Sequence, residues 1–198
     1  MKHLFALALC AAFVGCSSTP APRYHSLLST SAPSAREAGV APLFVDLAAV
    51  GVPAAVDQQE WVVRMPDDSL RLLELEQWVG PLRDELRAAL FERLAQRYGA
   101  VDARTAPSDH AWRVKVDVTR FESIAGKEVW LDTTWSASAT KRNTLVCHSS
   151  VREPVQGDAV AIAAAHRRAV VRLADEIGQR LQALTRGETP PCAPDRES

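Results

Sequence analysis

The chain has 198 residues and a formal net charge of −1 at pH 7. Its charges are dispersed and gather in no basic stripe, which argues against nucleic acid as a partner. The length suits a single domain, on a scale of about 100–200 residues each, once a leader is removed.

That leader comes first. Lys2 precedes an apolar run over residues 4–14, which closes on Gly15-Cys16-Ser17-Ser18. A charged start, a short apolar run and a small-residue cleavage site make residues 1–15 a signal peptide. The run falls short of the ~20 residues that a helix needs to cross a bilayer. A cysteine directly after the small residue marks a lipoprotein signal. Acylation of the Cys16 thiol and cleavage before it would leave a palmitate-type anchor at the new N-terminus. Phe13 stands where Leu is usual in that motif. The alternative is ordinary secretion with Cys16 a plain thiol. Ser17 and Ser18 carry no acidic retention signal, which points to the outer membrane and the periplasmic side of it.

Residues 16–39 are rich in Ser, Ala, Pro and Thr without an apolar period, as expected of a flexible tether. Only Tyr24, Leu27 and Leu28 look able to dock. A single domain is expected over residues 40–186, followed by a Pro-rich tail over residues 187–198. Residues 40–47 read as a strand ended by Gly51-Val52-Pro53. Residues 61–65 and 69–75 flank Pro66-Asp67-Asp68 and read as a hairpin. Pro81 sits well at a helix start, and Leu82, Leu86, Ala89, Leu90 and Leu94 recur at helical spacing until Gly99. Trp112, Val114, Val116 and Val118 alternate with polar residues, and residues 129–138 form the antiparallel partner of that strand. A further strand is expected through Thr144-Leu145-Val146-Cys147. The last helix runs from Gly157-Asp158 to about residue 184 on the stripe Val160, Ala163, Val170, Leu173, Ala174, Ile177, Leu181 and Leu184. This order predicts an α+β fold, a two-layer sandwich. Its mainly antiparallel sheet has about five or six strands, with two long helices packed on one face.

Of the four cysteines, Cys10 leaves with the signal peptide and Cys16 is acylated, so Cys147 and Cys192 remain. In an oxidising envelope such a pair reads as a disulfide, two separate thiols being the alternative. Nucleophile-elbow, zinc-helix and phosphate-loop motifs are missing from the sequence. Cys147-His148 could be imagined as a thiol and its base, but neighbours on a strand point to opposite faces. His25, His110 and His166 are scattered and lack metal spacing. The expectation is a protein without catalysis, cofactor or metal. Trp130 and Trp135 are an odd number apart and face opposite ways on their strand. Trp112 and Trp135 read as core. Trp61, Trp78 and Trp130 are candidates for an exposed contact, since Trp is enriched at interfaces, with core packing the alternative.

The chain resembles the PqiC/YmbA-like family of ABC-type transport auxiliary lipoproteins. The resemblance lies in ordered segments: Pro22-Arg23-Tyr24-His25-Ser26-Leu27, Val50-Gly51-Val52-Pro53, Trp61-Val62-Val63-Arg64, Glu76-Gln77-Trp78-Val79-Gly80-Pro81-Leu82, Arg120-Phe121-Glu122 and Val129-Trp130-Leu131-Asp132-Thr133-Thr134-Trp135. Two departures are Tyr24-His25, where the family commonly shows two aromatics, and Val79-Gly80-Pro81, less acidic than many versions. The resemblance implies an outer-membrane lipoprotein of an envelope, intermembrane lipid-transport system. It would be a non-enzymatic adaptor that docks a periplasm-spanning MCE-domain protein and associates with its own copies in a homo-oligomeric ring. A periplasmic lipid-binding carrier domain is the alternative.

Overall fold

The computed structural model describes residues 20–28 and 42–192. The signal peptide, Cys16, much of the expected tether, the start of the first expected strand and the tail after Cys192 lie outside the described residues. Within them the chain runs β1 (Arg23–His25), β2 (Leu43–Leu47), a 3-10 turn (Ala54–Val56), β3 (Glu60–Arg64), β4 (Leu70–Trp78), α1 (Leu82–Tyr98), β5 (Ala100–Asp102), β6 (Trp112–Ile124), β7 (Glu128–Ser138), β8 (Leu145–Pro154) and α2 (Ala159–Thr185).

The fold is α+β, with one sheet and two helices that pack on each other and on the sheet. The sheet is larger than expected, with eight strands, and it is mixed, although most of its paired residues are antiparallel as expected. The β3–β4, β6–β7 and β7–β8 ladders are antiparallel, whereas β1–β4, β2–β5, β2–β6 and β3–β6 are parallel. The two extra strands, β1 and β5, have three residues each, too few to display an alternating period.

Strand β6 organises the rest. One edge pairs with β7 along nearly its whole length, from Arg113↔Ser138 to Ile124↔Glu128, with a bulge between Val118 and Arg120. Its other edge is shared: β2 covers the start at Val45↔Trp112 to Leu47↔Val114, and β3 covers the end at Val63↔Ser123 and Arg64↔Ile124. Gly51 bridges to Asp117 between them. A Cβ on Gly51 would stand 2.5 Å from the Asp117 carboxylate, so a larger residue there would push that side chain aside. Beyond β2 lies β5; beyond β3 lie β4 and then β1.

Alternation along β6, β7 and β8 sends Trp112, Val114, Val116, Val129, Leu131, Trp135, Cys147 and Val151 into the core. Helix α1 starts after Pro81 and stops at Gly99, whose φ of 66° is left-handed. Helix α2 begins on Asp158, whose carboxylate accepts from the N–H groups of Val160 and Ala161. Val160, expected in the buried stripe, is 56% exposed. It belongs to the opening turn, and Ala159, Ile162 and Ala163 face the core there instead. A disulfide joins Cys147 to Cys192 and brings the start of the Pro-rich tail back to β8.

The helix pair closes tightly at Gly178, where a Cβ would meet the Tyr98 ring at 2.4 Å. That ring is held: its hydroxyl donates to the Asp175 carbonyl at 3.0 Å. Arg93 donates twice to the Asp175 carboxylate, at 2.7 and 2.8 Å. Gly178→Ala gains about 1 kcal/mol of helix propensity but forces overpacking that costs about 1–3 kcal/mol. Urea unfolding should therefore show a net loss of about 1 kcal/mol. A stabilised variant would mean that the two helices part freely.

Candidate interaction surfaces

The face of the sheet turned away from the helices carries the polar half of each alternation. On β7 it presents Trp130, Asp132 and Thr134, with Glu122 of β6 and Arg152 of β8 in register on either side of Trp130. The guanidinium carbons of Arg120 and Arg152 stand 3.4 and 3.8 Å from the Trp130 ring centroid, reaching it from the two neighbouring strands. The indole Nε1 donates to Asp132 Oδ1 at 2.7 Å and to Ser150 Oγ at 3.2 Å. Each stack of this kind contributes about 0.5–2 kcal/mol, so the ring is held in place and remains half-buried. Arg64 and Arg120 both pair with Glu122, at 2.5 Å each. Burial would raise the Glu122 carboxyl, but the hydrogen bonds from Arg64 and Arg120 outweigh it and hold the group below the usual carboxylate range. The Arg152 guanidinium meets Trp130 and, among the described residues, no carboxylate.

Trp61 and Trp78, expected as candidates for an exposed contact, are each 3% exposed and offer nothing to another molecule. They lie in an aromatic seam: His25 to Trp61 at 4.5 Å, Trp61 to Trp78 at 4.6 Å, and Trp78 to both Phe121 and His166 at 6.0 Å. Phe121 stacks on His166 at 4.1 Å. The seam explains the burial, because it joins the N-terminal strand to α2 through the end of β4. It also gathers two histidines that looked scattered. His166 is 1% exposed and shares a hydrogen bond with Ser123 Oγ at 2.8 Å. Its only sequence signal is its position, four residues before Val170 on the apolar stripe. Cys147 is buried in the disulfide and His148 is exposed on the other face, bonded to Thr134. They form no thiol–base pair.

The expected tether is docked over part of its length. Strand β1 pairs with the end of β4, and two buried carboxylates receive it. Glu76 binds Arg23 and, at 2.7 Å, His25 Nε2. Glu85 accepts from Ser26 Oγ at 2.7 Å and from the Leu27 N–H at 2.9 Å. Arg167 of α2 donates to the Ser26 carbonyl at 3.0 Å. Of the three residues expected to dock, Leu27 does, at 3% exposure, whereas Tyr24 and Leu28 stay at the surface. Beyond β1 the edge of β4 is uncovered and holds Leu70, Leu72 and Leu75, all exposed. An open groove of about 590 Å³ lies there, lined by Pro20, Ala21 and Arg23 and by Leu72, Leu73, Glu74, Leu75 and Glu76 of β4.

His166 has a measurable consequence. Burial depresses its pKa to about 3 from an ordinary 6.5. Between those values the unfolded chain binds a proton that the folded one refuses, so stability falls as pH drops below about 6.5. From pH 7 to pH 5 the loss attributable to this residue is about 2 kcal/mol. In His166→Gln, which can keep the bond to Ser123 without titrating, denaturant unfolding should show that slope largely removed. An unchanged slope would place its origin elsewhere.

The comparisons with known proteins bear on these surfaces through the fold. A sequence model for the family described as ABC-type transport auxiliary lipoprotein component matches residues 26–178. No curated protein matches the chain. The crystal structure of an uncharacterized protein superposes with a TM-score of 0.67 at 16% identity, covering 82% of this chain and 99% of that one. A Xanthomonas campestris protein of the DUF330 family gives 0.60 at 19% identity, covering 86% of this chain and 98% of that one. At such identities the likeness is one of fold.

Proposed function

Since the chain belongs to the ABC-type transport auxiliary lipoprotein components, we propose that it is an outer-membrane lipoprotein, anchored through Cys16 and facing the periplasm. In this reading it is a non-enzymatic adaptor of an intermembrane lipid-transport system. It receives a periplasm-spanning MCE-domain protein and associates with its own copies. The observation that carries the reading is the Trp130 platform, an indole immobilised between Arg120 and Arg152 on the helix-free face. A rigid aromatic flanked by guanidinium planes is the kind of group that dominates protein interfaces. The serines after Cys16 support the outer membrane as the destination.

Trp130→Ala, with folding checked by thermal unfolding, tests the docking surface. Loss of an interface tryptophan costs at least about 2 kcal/mol, roughly thirtyfold in affinity. Binding to the MCE-domain protein of the same transport system should weaken by that much. Equal binding by the variant would dismiss the platform as the docking site. Cys16→Ser should release a folded protein from the membrane fraction, and native mass spectrometry of that soluble form should find no bound lipid. Co-purified lipid would favour a carrier over an adaptor.

A further inference from the structure

Most of the large apolar side chains that remain at the surface lie along one edge of the sheet. Tyr24 on β1, Leu28 just after it, Leu70, Leu72 and Leu75 on β4 and Val79 at its end are between 37% and 60% exposed. Val146 and Val160 are the others among the described residues. The chain leads toward Cys16 from this same region: Pro20 lines the same groove as Leu72, Leu73 and Leu75.

We infer that this β1–β4 edge is a membrane-contact surface, seated in the lipid layer that holds the anchor. The inference rests on lipidation of Cys16. Four peptide links separate Cys16 from Pro20, and at up to ~3.6 Å each they span at most about 14 Å. The interfacial layer on one side of a bilayer is itself about 5–8 Å deep. A chain whose lipid lies in the bilayer therefore cannot carry Pro20 much beyond the headgroups. Had the tether been free as far as residue 39, the domain could stand well clear of the membrane. Docking of β1 by Glu76 and Glu85 removes that freedom. Leu72 and Leu75 point to opposite faces of β4 but line the same groove as Pro20, so both stand close to the level of the lipid.

The chemistry of the edge fits a bilayer surface held by apolar contact. Arg23 and the exposed Arg71 sit beside the leucines, but Arg23 is paired with Glu76, and Glu74, Asp67 and Asp68 on the same hairpin outnumber the remaining arginine. Charge alone would not bring the edge to anionic headgroups; the leucines and the short leash do.

The test uses the full lipidated chain in phosphatidylethanolamine–phosphatidylglycerol vesicles. Nitroxide labels are placed at Leu72→Cys, Leu75→Cys and, as a reference on the distant strand β8, Val146→Cys. Accessibility to oxygen and to a water-soluble nickel chelate is compared, with thermal unfolding confirming that each labelled chain is folded. The labels at positions 72 and 75 should shift several-fold toward oxygen, while the one at position 146 stays water-like. Water-like behaviour at all three, in a chain whose mass shows the acyl groups, would overturn the inference and leave the anchor intact. Shielding of positions 72 and 75 in vesicle-free Cys16→Ser protein would overturn it in favour of a second copy on that edge. An N-terminal mass without acyl groups would overturn both the anchor and the contact.

Discussion

Strand β6 is longer than any neighbour on its parallel side can cover, and the sheet forks because of that mismatch. Its thirteen residues extend about 43 Å, whereas β2 and β3 have five residues each and cover about 17 Å apiece. Two arms grow from the one edge, separated by the bridge at Gly51. One arm adds β5 and lies close to α1; the other adds β4 and then β1. The second arm supports the N-terminal segment, so the fork decides where the chain leaves the domain. The opposite edge of β6 pairs with β7 without interruption beyond its bulge, and the Trp130 platform stands on that continuous part.

Polar groups, not apolar ones, determine how the arms are tied down. Glu76, Glu85, Glu153 and His166 are all under 9% exposed. A buried charge is costly unless it is paired and hydrogen-bonded. Glu76 and Glu85 meet that requirement through β1 and the residues after it, which gives the N-terminal segment a defined seat. Glu153 meets it through Arg168 and Arg172, tying α2 to strand β8. Burial would raise the Glu153 carboxyl, and the hydrogen bonds from those two arginines bring it below its ordinary range instead. The open face uses the same device at Glu122, where paired arginines also steady the surroundings of Trp130.

Where apolar spacing carries the information, the elements were legible. The hairpin around Asp67, both helices and the β6–β7 pair stand close to where their periods place them. Strand β8 runs to Pro154 although the expectation stopped at Cys147, because two of its four inward residues are polar. Ser149 is accepted in the core as a partner of the Trp135 indole, and Glu153 by its arginines. The docking of β1 and the residues after it was hidden for a similar reason: four of its contacts, from Arg23, His25, Ser26 and Leu27, are to carboxylates, which no hydrophobic pattern registers. His166 sits on an apolar stripe, but the stripe does not say that Ser123 and Phe121 will be waiting for it.

By itself the sequence determined which residues share a face, since the periods of helix and strand are local properties of the backbone. It separated Trp130 from Trp135 on that ground alone. Only the tertiary structure decided which face each arm closes, and therefore that Trp61 and Trp78 are core while Trp130 is open. That outcome depends on the helices and neighbouring strands that cover a face, and alternation is the same whichever side they choose. The tether followed the same division: its composition announced a loose segment, and the carboxylates of β4 and α1, distant in the chain, hold Arg23–His25 within it as a strand.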